Sequence, residues 1–220
     1  MKFKNIQVFG LESNMVRSGY PHQIGEPDNM YFWDRFNPDP LPENVISRAK
    51  KLANTPAGSG HSNFRKGIIV QFDILYTQYF SQQLQRYSFV NIISSQSKMH
   101  KLASVKNILL NCNDYVMCSI ANEINYLIRI YNNETFPYRY TDTSGEDFTI
   151  RDKKECFHYI ISNLPMGYQL WMGVSTNYEQ LATIYRQRCK HKHKLEDWKE
   201  FCEFIKGLPM SKELIIGKND

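Results

Sequence analysis

The amphipathic segment from Asp114 to Tyr131 places the strongest constraint on the fold of this chain. Its apolar residues recur at helical spacing on one face: Val116, Ile120, Ile124, Leu127 and Tyr131. This periodicity predicts a helix and is the clearest of its kind in the sequence. The chain has 220 residues, which is enough to bury a substantial core. We therefore expect a helix-containing single domain over residues 1–220.

Extended segments and further helices are predicted along the rest of the chain. Apolar or alternating patterns predict strands at Phe3–Phe9, Gly67–Leu75 and Tyr168–Thr176. Helices are predicted at Glu43–Ala53, at Gln78–Phe89 and from about Arg151. A capping box formed by Thr176 and Glu179 predicts the start of another helix, whose core stripe is Tyr178, Leu181, Ala182 and Tyr185. A last helix is predicted from the apolar stripe Leu195, Trp198, Cys202 and Ile205. Irregular structure is expected from Gly10 to Pro42, which holds Tyr31, Phe32, Trp33 and Phe36, and a loop from Asn132 to Asp147. The sum is an α+β fold rich in helices.

Charge and cysteine content limit the class of protein. The net charge of +5 permits an anionic ligand, but basic and acidic residues are interleaved and no polycationic arm exists. The five cysteines are irregularly spaced, and the start of the chain lacks a signal-peptide pattern. No segment approaches the roughly 20 apolar residues that cross a bilayer. We therefore expect a cytoplasmic protein with free thiols and no membrane segment.

The densest set of ligand-binding side chains lies between Gln83 and Lys98. Gln83 and Arg86 are three residues apart, so on the predicted helix they face the same way. An amide beside a guanidinium can read a uracil-like edge or clamp a phosphate. The Ser94–Lys98 segment is predicted to be a loop whose hydroxyls, amides and cation suit an oxyanion. The alternative is a solvated helix face followed by an ordinary surface turn.

A second basic run extends from Arg186 to Lys194. Arg188 borders the apolar stripe of its predicted helix, and this favours either a carboxylate partner or a bound anion. His191 and His193 alternate and share no helix face, and no other pair has zinc spacing, so we expect no metal site. Nucleic-acid binding would need a broader basic stripe with exposed aromatic residues. We therefore do not expect it, and a nucleic-acid-binding module that uses this basic run is the weaker alternative.

Residues 60–205 resemble the flavin-dependent thymidylate synthase family, in a divergent phage-like branch, because several short motifs occur in the family's order and at matching spacing. The resemblance of residues 1–59 to this family is less clear. Gly60-His61-Ser62-Asn63-Phe64 resembles the family's Gly-His segment. Gln83-x-x-Arg86-Tyr87-Ser88, followed by Gln96-Ser97-Lys98-Met99, resembles its signature Gln-x-x-Arg-His-Arg and Ser-x-Arg-Tyr motifs. Leu164-Pro165 and Asn177 match further positions, and Arg188 falls where the family has an arginine that reaches a neighbouring subunit's nucleotide.

The resemblance implies an α+β fold with a central, mainly antiparallel sheet and a homotetramer with shared active sites. It also implies methylation of dUMP at C5 to dTMP with FAD, methylenetetrahydrofolate and NADPH, without attack by an enzyme cysteine. No catalytic residue is assigned. By position, the nucleotide contacts are Gln83, Ser95, Gln96, Ser97, Lys98 and Arg188, and the flavin contacts are His61, Asn63, Arg86, Tyr87, Ser88 and Asn177. From the residues alone, His61 is either an acid–base or cofactor contact or a structural histidine.

The departures from the family pattern concern mainly the flavin contacts. Tyr87 and Ser88 replace the His and the second Arg of the signature, while Glu179 and Thr183 replace an Arg and an Asn. Each charge-assisted contact with the FAD pyrophosphate is worth about 1.5–3 kcal/mol, so we expect these changes to weaken flavin binding. Lys98 keeps the charge of an Arg without its bidentate geometry. Two alternatives follow: a relative that hydroxymethylates dUMP, and a non-catalytic nucleotide-binding protein that has lost flavin.

Overall fold

A computed structural model describes residues 1–25, 41–56, 58–190 and 195–217 of the chain. The helices and strands in these ranges are β1 (Lys2–Phe9), α1 (Leu11–Arg17), α2 (Glu43–Ala53), β2 (Ile69–Thr77), α3 (Gln78–Leu84), β3 (Asn91–Ser95), α4 (Lys98–Lys101), α5 (Cys118–Asn133), β4 (Tyr138–Thr141), β5 (Asp147–Ile150), α6 (Lys153–Ser162), β6 (Gln169–Asn177), α7 (Tyr178–Arg188) and α8 (Glu196–Lys206). Among these described helices, none has both the length and the apolar character needed to cross a membrane. The predicted α+β class is confirmed.

Four of the strands form the main sheet, in the order β1–β2–β6–β3. Side chains of β2 and β6 alternate between buried and half-buried positions, because successive residues of a strand point to opposite faces of the sheet. β1 and β3 form the edges and are mostly exposed. The sheet is antiparallel, as predicted. A separate antiparallel pair, β4 and β5, aligns Tyr138 with Ile150 and Thr141 with Asp147.

The chain comprises two compact units. Unit 1 contains Met1–Ile74, Leu84–Ile93 and Gly173–Asp220, and unit 2 contains Leu75–Gln83 and Ser94–Met172.

An aromatic cluster forms part of the core of unit 1. Phe3 of β1, Phe72 of β2, and Phe201 and Phe204 of α8 pack with ring centroids 4.2–6.2 Å apart. Phe72 and Phe201 are almost completely buried. Because aromatic side chains bury more apolar area than other residues, this cluster accounts for much of the packing of α8 in unit 1.

In unit 2, α5 packs against α6. Ile124 and Leu127 of α5 are buried, as predicted, and so are Cys156 and Ile160 of α6. Ile120, predicted on the same apolar face, is 37% exposed, since it lies in the first turn of α5.

Two predictions for unit 2 are wrong. α5 begins at Cys118 rather than Asp114, because the preceding residues form a turn in which the Val116 N–H donates to the Asn113 carbonyl. The segment predicted as a loop, residues 132–147, contains the end of α5 and all of β4. Tyr140 and Phe148 are paired across β4 and β5 with ring centroids 4.8 Å apart, and such cross-strand aromatic pairs stabilise a hairpin.

The amino-terminal part of the chain follows the prediction in part. β1 is present, and α2 has the predicted bounds. Residues 10–42, predicted to be irregular, include α1. The aromatic residues that were predicted to anchor this segment lie outside the described residues: Tyr31, Phe32, Trp33 and Phe36.

Truncation of the aromatic cluster tests the packing of unit 1. Phe201→Ala removes a side chain that is 1% exposed, and we expect a loss of about 3–5 kcal/mol in the free energy of unfolding. Phe9→Ala, at a position that is 47% exposed, is the matched control and should have a much smaller effect. Urea denaturation followed by circular dichroism measures both variants. Similar losses for the two would contradict the assignment of Phe201 to the core.

Candidate functional site

The segment predicted to bind an oxyanion consists of a strand end, a turn and a helix start. Ser94 and Ser95 belong to β3 and Lys98 begins α4, so the prediction of a loop from Ser94 to Lys98 is wrong. Gln96 explains the difference. Its backbone N–H donates to the Trp171 carbonyl at 2.9 Å, and its side-chain Oε1 accepts from the Trp171 N–H at 3.1 Å. The backbone bond extends the pairing of β3 with β6 by one residue, and the side-chain bond helps to fix the turn.

Lys98 is held by an amide. Its Nζ donates to Gln78 Oε1 at 2.6 Å. Gln78 in turn donates through Nε2 to the Pro165 carbonyl at 3.2 Å and through its backbone N–H to the Met166 carbonyl at 3.0 Å. Because an amide carries no net charge, the half-buried ammonium group is oriented without being neutralised. Lys98 therefore suits an anionic ligand.

The other predicted nucleotide contacts in unit 2 surround this turn. Gln83 is half-buried near the end of α3, whereas Ser95, Gln96 and Ser97 are exposed. Burial raises the pKa of Tyr76, and the nearby Ser95 side chain opposes this effect less strongly. Ser97 precedes α4 and makes no side-chain capping bond, so its hydroxyl is available to a ligand.

The remaining predicted site residues lie in unit 1, in segments that surround α7. Asn177 is the N-cap of α7, and its Oδ1 accepts from the Gln180 N–H at 2.8 Å. The 3-10 turn Asn63–Gly67 packs against α7. The turn after α3 also reaches α7, because the Phe89 N–H donates to Gln180 Oε1 at 3.3 Å. The segments gathered around α7 carry His61, Asn63, Arg86, Tyr87, Ser88, Asn177 and Arg188.

The predicted capping box of α7 does not form. Thr176 belongs to β6, and Asn177 is the cap instead. Asn is at least as good an N-cap residue as Thr. The Glu179 carboxylate, which the capping box would have used, pairs with Arg65, since a guanidinium binds a carboxylate more strongly than a backbone N–H does.

A buried ion pair in unit 1 joins Arg65 to Glu179. Arg65, which is 4% exposed, donates to Glu179 Oε2 from Nε at 2.7 Å and lies 2.6 Å from it through Nη2. Nη1 donates to the carbonyls of Ala53 at 3.2 Å and Leu214 at 2.8 Å. Burial lowers the pKa of Arg65, and the Glu179 carboxylate opposes this effect. The negative charge of Glu179, expected to repel a flavin pyrophosphate, is therefore compensated.

The turn after α3 separates Arg86 from Gln83. α3 ends at Leu84, so the prediction that both side chains face the same way on one helix is wrong. The Tyr87 N–H donates to the Leu84 carbonyl at 3.1 Å in a tight turn. Tyr87 is consequently buried, while Arg86 and Ser88 are exposed. Within the described part of the chain, Arg86 makes no hydrogen bond or ion pair.

Arg188, near the end of α7, lies on an aromatic platform. Its guanidinium carbon is 4.3 Å from the ring centroid of Trp198 and 5.7 Å from that of Tyr87. Its Nε donates to the Tyr87 hydroxyl at 2.8 Å, and that hydroxyl donates to Gln187 Oε1 at 3.1 Å. None of the ion pairs among residues 1–25, 41–56, 58–190 and 195–217 includes Arg188. Like Lys98, it is an oriented cation that has no carboxylate partner in the described part of the chain.

Metal and thiol chemistry find little support in the described residues. No group of three His, Cys, Asp or Glu residues there could hold a metal ion, and His191 and His193 lie outside them. Burial raises the pKa of Cys112 and of Cys156 to about 11. Both are therefore protonated thiols at neutral pH and poor nucleophiles.

Sequence reasoning missed Gln78, Arg65 and Trp198 as residues of this region. Gln78 and Arg65 lie near recognised motifs, at the start of α3 and two residues after Asn63, and this proximity is the only local signal. Trp198 was assigned only to the apolar stripe of its helix, and its contact with Arg188 has no local signature.

The fold has known counterparts, although no protein-family model and no curated protein sequence matches the chain. Two crystal structures of the flavin-dependent thymidylate synthase ThyX from Helicobacter pylori, each with FAD and dUMP, are similar to it, with TM-scores of 0.59 and 0.63. Each is 13% identical in sequence and covers 98% of this chain, with 98% and 97% of the respective ThyX chains aligned. The chain has the fold of a flavin-dependent thymidylate synthase. The fold that the sequence resemblance implies is confirmed.

In this thymidylate synthase fold, the ion pair of Arg65 and Glu179 can be tested through stability. Glu179→Gln keeps the size of the side chain but leaves the Arg65 guanidinium buried without a countercharge. We expect a loss of about 3–5 kcal/mol in the free energy of unfolding, measured by urea denaturation. Glu203→Gln removes an exposed ion pair with Lys206 and is the matched control, with little expected effect. Equal stability of the two variants would contradict a structural role for this pair.

Proposed function

We propose that this protein is a flavin-dependent thymidylate synthase that methylates dUMP at C5 to give dTMP. It would use FAD as its cofactor, methylenetetrahydrofolate as the one-carbon donor and NADPH as the reductant. The observation that carries the proposal is the state of Lys98 and Arg188. Each is a cation oriented by uncharged partners, at a position where the family motif places a nucleotide contact. The crystal structures of similar fold contain FAD and dUMP.

The nucleotide contacts follow from the donors around the turn between β3 and α4. Lys98 supplies charge for the phosphate, and Ser95 and Ser97 supply hydroxyl donors. Gln96, whose Oε1 accepts from the Trp171 N–H, offers its Nε2 donors to a carbonyl of the uracil edge, and Gln83 is proposed to contact the same edge. Arg188 is proposed to arrive from a neighbouring subunit.

The flavin contacts in unit 1 fit an anionic cofactor. Arg86 is exposed and without a partner in the described part of the chain, so its guanidinium is available to the pyrophosphate of FAD. The charge of Glu179 is compensated by Arg65. His61, Asn63 and Ser88 are exposed, and Asn177 is half-buried at the start of α7. We assign these four side chains to orientation of the flavin and its neighbouring reactants.

Tyr87 does not share the exposure of the other proposed flavin contacts. It is 8% exposed and its hydroxyl is engaged with Arg188 and Gln187. We therefore propose that Tyr87 acts through Arg188 rather than by touching the flavin.

Catalysis would come mainly from positioning. When bound, FAD supplies the hydride that completes the methyl group. The protein side chains hold the reactants in contact, orient the uracil ring and neutralise the phosphate, which raises the effective concentration of the reacting groups. No cysteine nucleophile is needed, and the raised pKa values of Cys112 and Cys156 agree with this.

Self-association is part of the proposal. Unit 2 exposes large apolar side chains close together in sequence, with Leu110 at 82%, Tyr115 at 79% and Met117 at 64% exposure. Exposed apolar groups of this kind are typical of protein interfaces. We propose that these side chains contribute to the subunit interfaces of a homotetramer with shared active sites. We also propose that the protein is cytoplasmic.

A second candidate function is binding of a pyrimidine nucleotide without catalysis. The burial of Tyr87 and the neutral side chain of Ser88 favour it, since both replace cationic groups of the family signature. This alternative keeps the nucleotide site and loses the flavin.

Flavin binding and turnover separate the two candidates. We expect the purified protein to show flavin absorbance, alone or after addition of FAD, and to convert dUMP into dTMP with methylenetetrahydrofolate and NADPH, as measured by mass spectrometry. A folded protein that binds dUMP in calorimetry but neither binds FAD nor turns over would contradict the synthase and support the second candidate. Absence of dUMP binding would reject both.

A further inference from the structure

We propose that Tyr87 is a positioning residue that orients Arg188 toward a pair of oxygen acceptors on the nucleotide. This inference rests on the proposed function, because it takes the ligand to be dUMP. Tyr87, which stands where the family signature has a His, would then have a specific role in nucleotide binding. The tyrosine hydroxyl holds the cation that binds the nucleotide.

The geometry restricts the Arg188 side chain from two directions. The guanidinium carbon lies 4.3 Å from the Trp198 ring centroid, and Trp198 is 1% exposed, so this platform is fixed in the core. The Nε–H donates to the Tyr87 hydroxyl at 2.8 Å. Stacking alone would let the guanidinium slide and rotate over the indole, whereas the Nε bond determines its direction in the plane.

Tyr87 is itself held in place. Its ring packs edge-on against Trp198 with centroids 6.1 Å apart, and its hydroxyl donates to Gln187 Oε1 at 3.1 Å. Because the hydroxyl proton is used toward Gln187, the oxygen presents its lone pairs to Arg188. The chain of bonds from Gln187 through Tyr87 to Arg188 therefore has a defined donor direction.

This arrangement leaves the ligand-binding edge of Arg188 available. The Nε is engaged, but within the described residues neither Nη1 nor Nη2 makes a hydrogen bond. The two Nη groups of a guanidinium match paired oxygens, such as those of a phosphate or the carbonyl edge of a pyrimidine. Since Arg188 is oriented before the ligand arrives, less side-chain freedom is lost on binding.

The Tyr87→Phe variant tests the hydroxyl separately from the ring. It keeps the aromatic platform but removes the acceptor of the Arg188 Nε–H. We expect the Kd for dUMP, measured by calorimetry, to rise about 10–100-fold, as for loss of a hydrogen bond to a charged group. Parallel titrations with deoxyuridine and with inorganic phosphate show whether Arg188 binds the pyrimidine or the phosphate. The variant should lose affinity only for the ligand whose oxygens Arg188 binds.

Tyr178→Phe is the matched control. Tyr178 is buried in unit 1, and its hydroxyl donates to the Pro209 carbonyl at 2.6 Å, without contact to Arg188. This variant loses one buried hydrogen bond as well, so we expect a similar change in thermal stability and an unchanged Kd for dUMP. If both variants weaken dUMP binding equally, the effect is general destabilisation and the positioning role is overturned.

A second measurement does not depend on the ligand. In ¹⁵N NMR of the ligand-free protein, the Arg188 Nε–H should exchange slowly with water, and Tyr87→Phe should make its exchange fast. If the wild type binds dUMP and the Tyr87→Phe variant binds it with the same Kd, the positioning role is overturned while the proposed function stands. If the wild type does not bind dUMP at all, the proposed function fails, and the inference fails with it.

Discussion

The buried guanidinium of Arg65 is the interaction on which unit 1 most depends. It joins the 3-10 turn before β2, the end of α2, the start of α7 and the carbonyl of Leu214. A buried charge that loses its partner is strongly destabilising, so these segments are tied to one geometry. The same pair fixes the start of α7, the helix that supports the proposed flavin contacts and Arg188.

The proposed ligand sites follow one electrostatic rule. Lys98 is held by the Gln78 amide, and Arg188 is held by the Tyr87 hydroxyl and the Trp198 ring. Each is therefore oriented, and no ion pair of the described residues neutralises its charge. Glu179, by contrast, is paired within the fold. Cations that are ordered but not neutralised are suited to a phosphate-bearing ligand, since binding then requires little reorganisation. This distribution is the reason that we propose nucleotide binding for a chain with a thymidylate synthase fold.

Local patterns predicted much of the fold and little of the site geometry. The buried residues Ile124 and Leu127 and the bounds of α2 follow from periodicity, which involves only neighbouring residues. The pairs that shape the site join residues far apart in sequence, 114 positions for Arg65 and Glu179 and 101 for Tyr87 and Arg188. No local pattern encodes such contacts. The early end of α3 has the same cause, because Tyr87 leaves the helix to pack beside Trp198.

Subunit mixing tests most directly whether two distant segments of the chain meet at one nucleotide across a subunit boundary. Lys98→Met and Arg188→Met should each abolish dUMP binding, because every site in either assembly lacks one cation. When the two variants are unfolded, mixed and refolded together, some sites combine an intact Lys98 with an intact Arg188. The account predicts that dUMP binding returns in the mixture at wild-type affinity. A mixture that binds no better than the separate variants would contradict it.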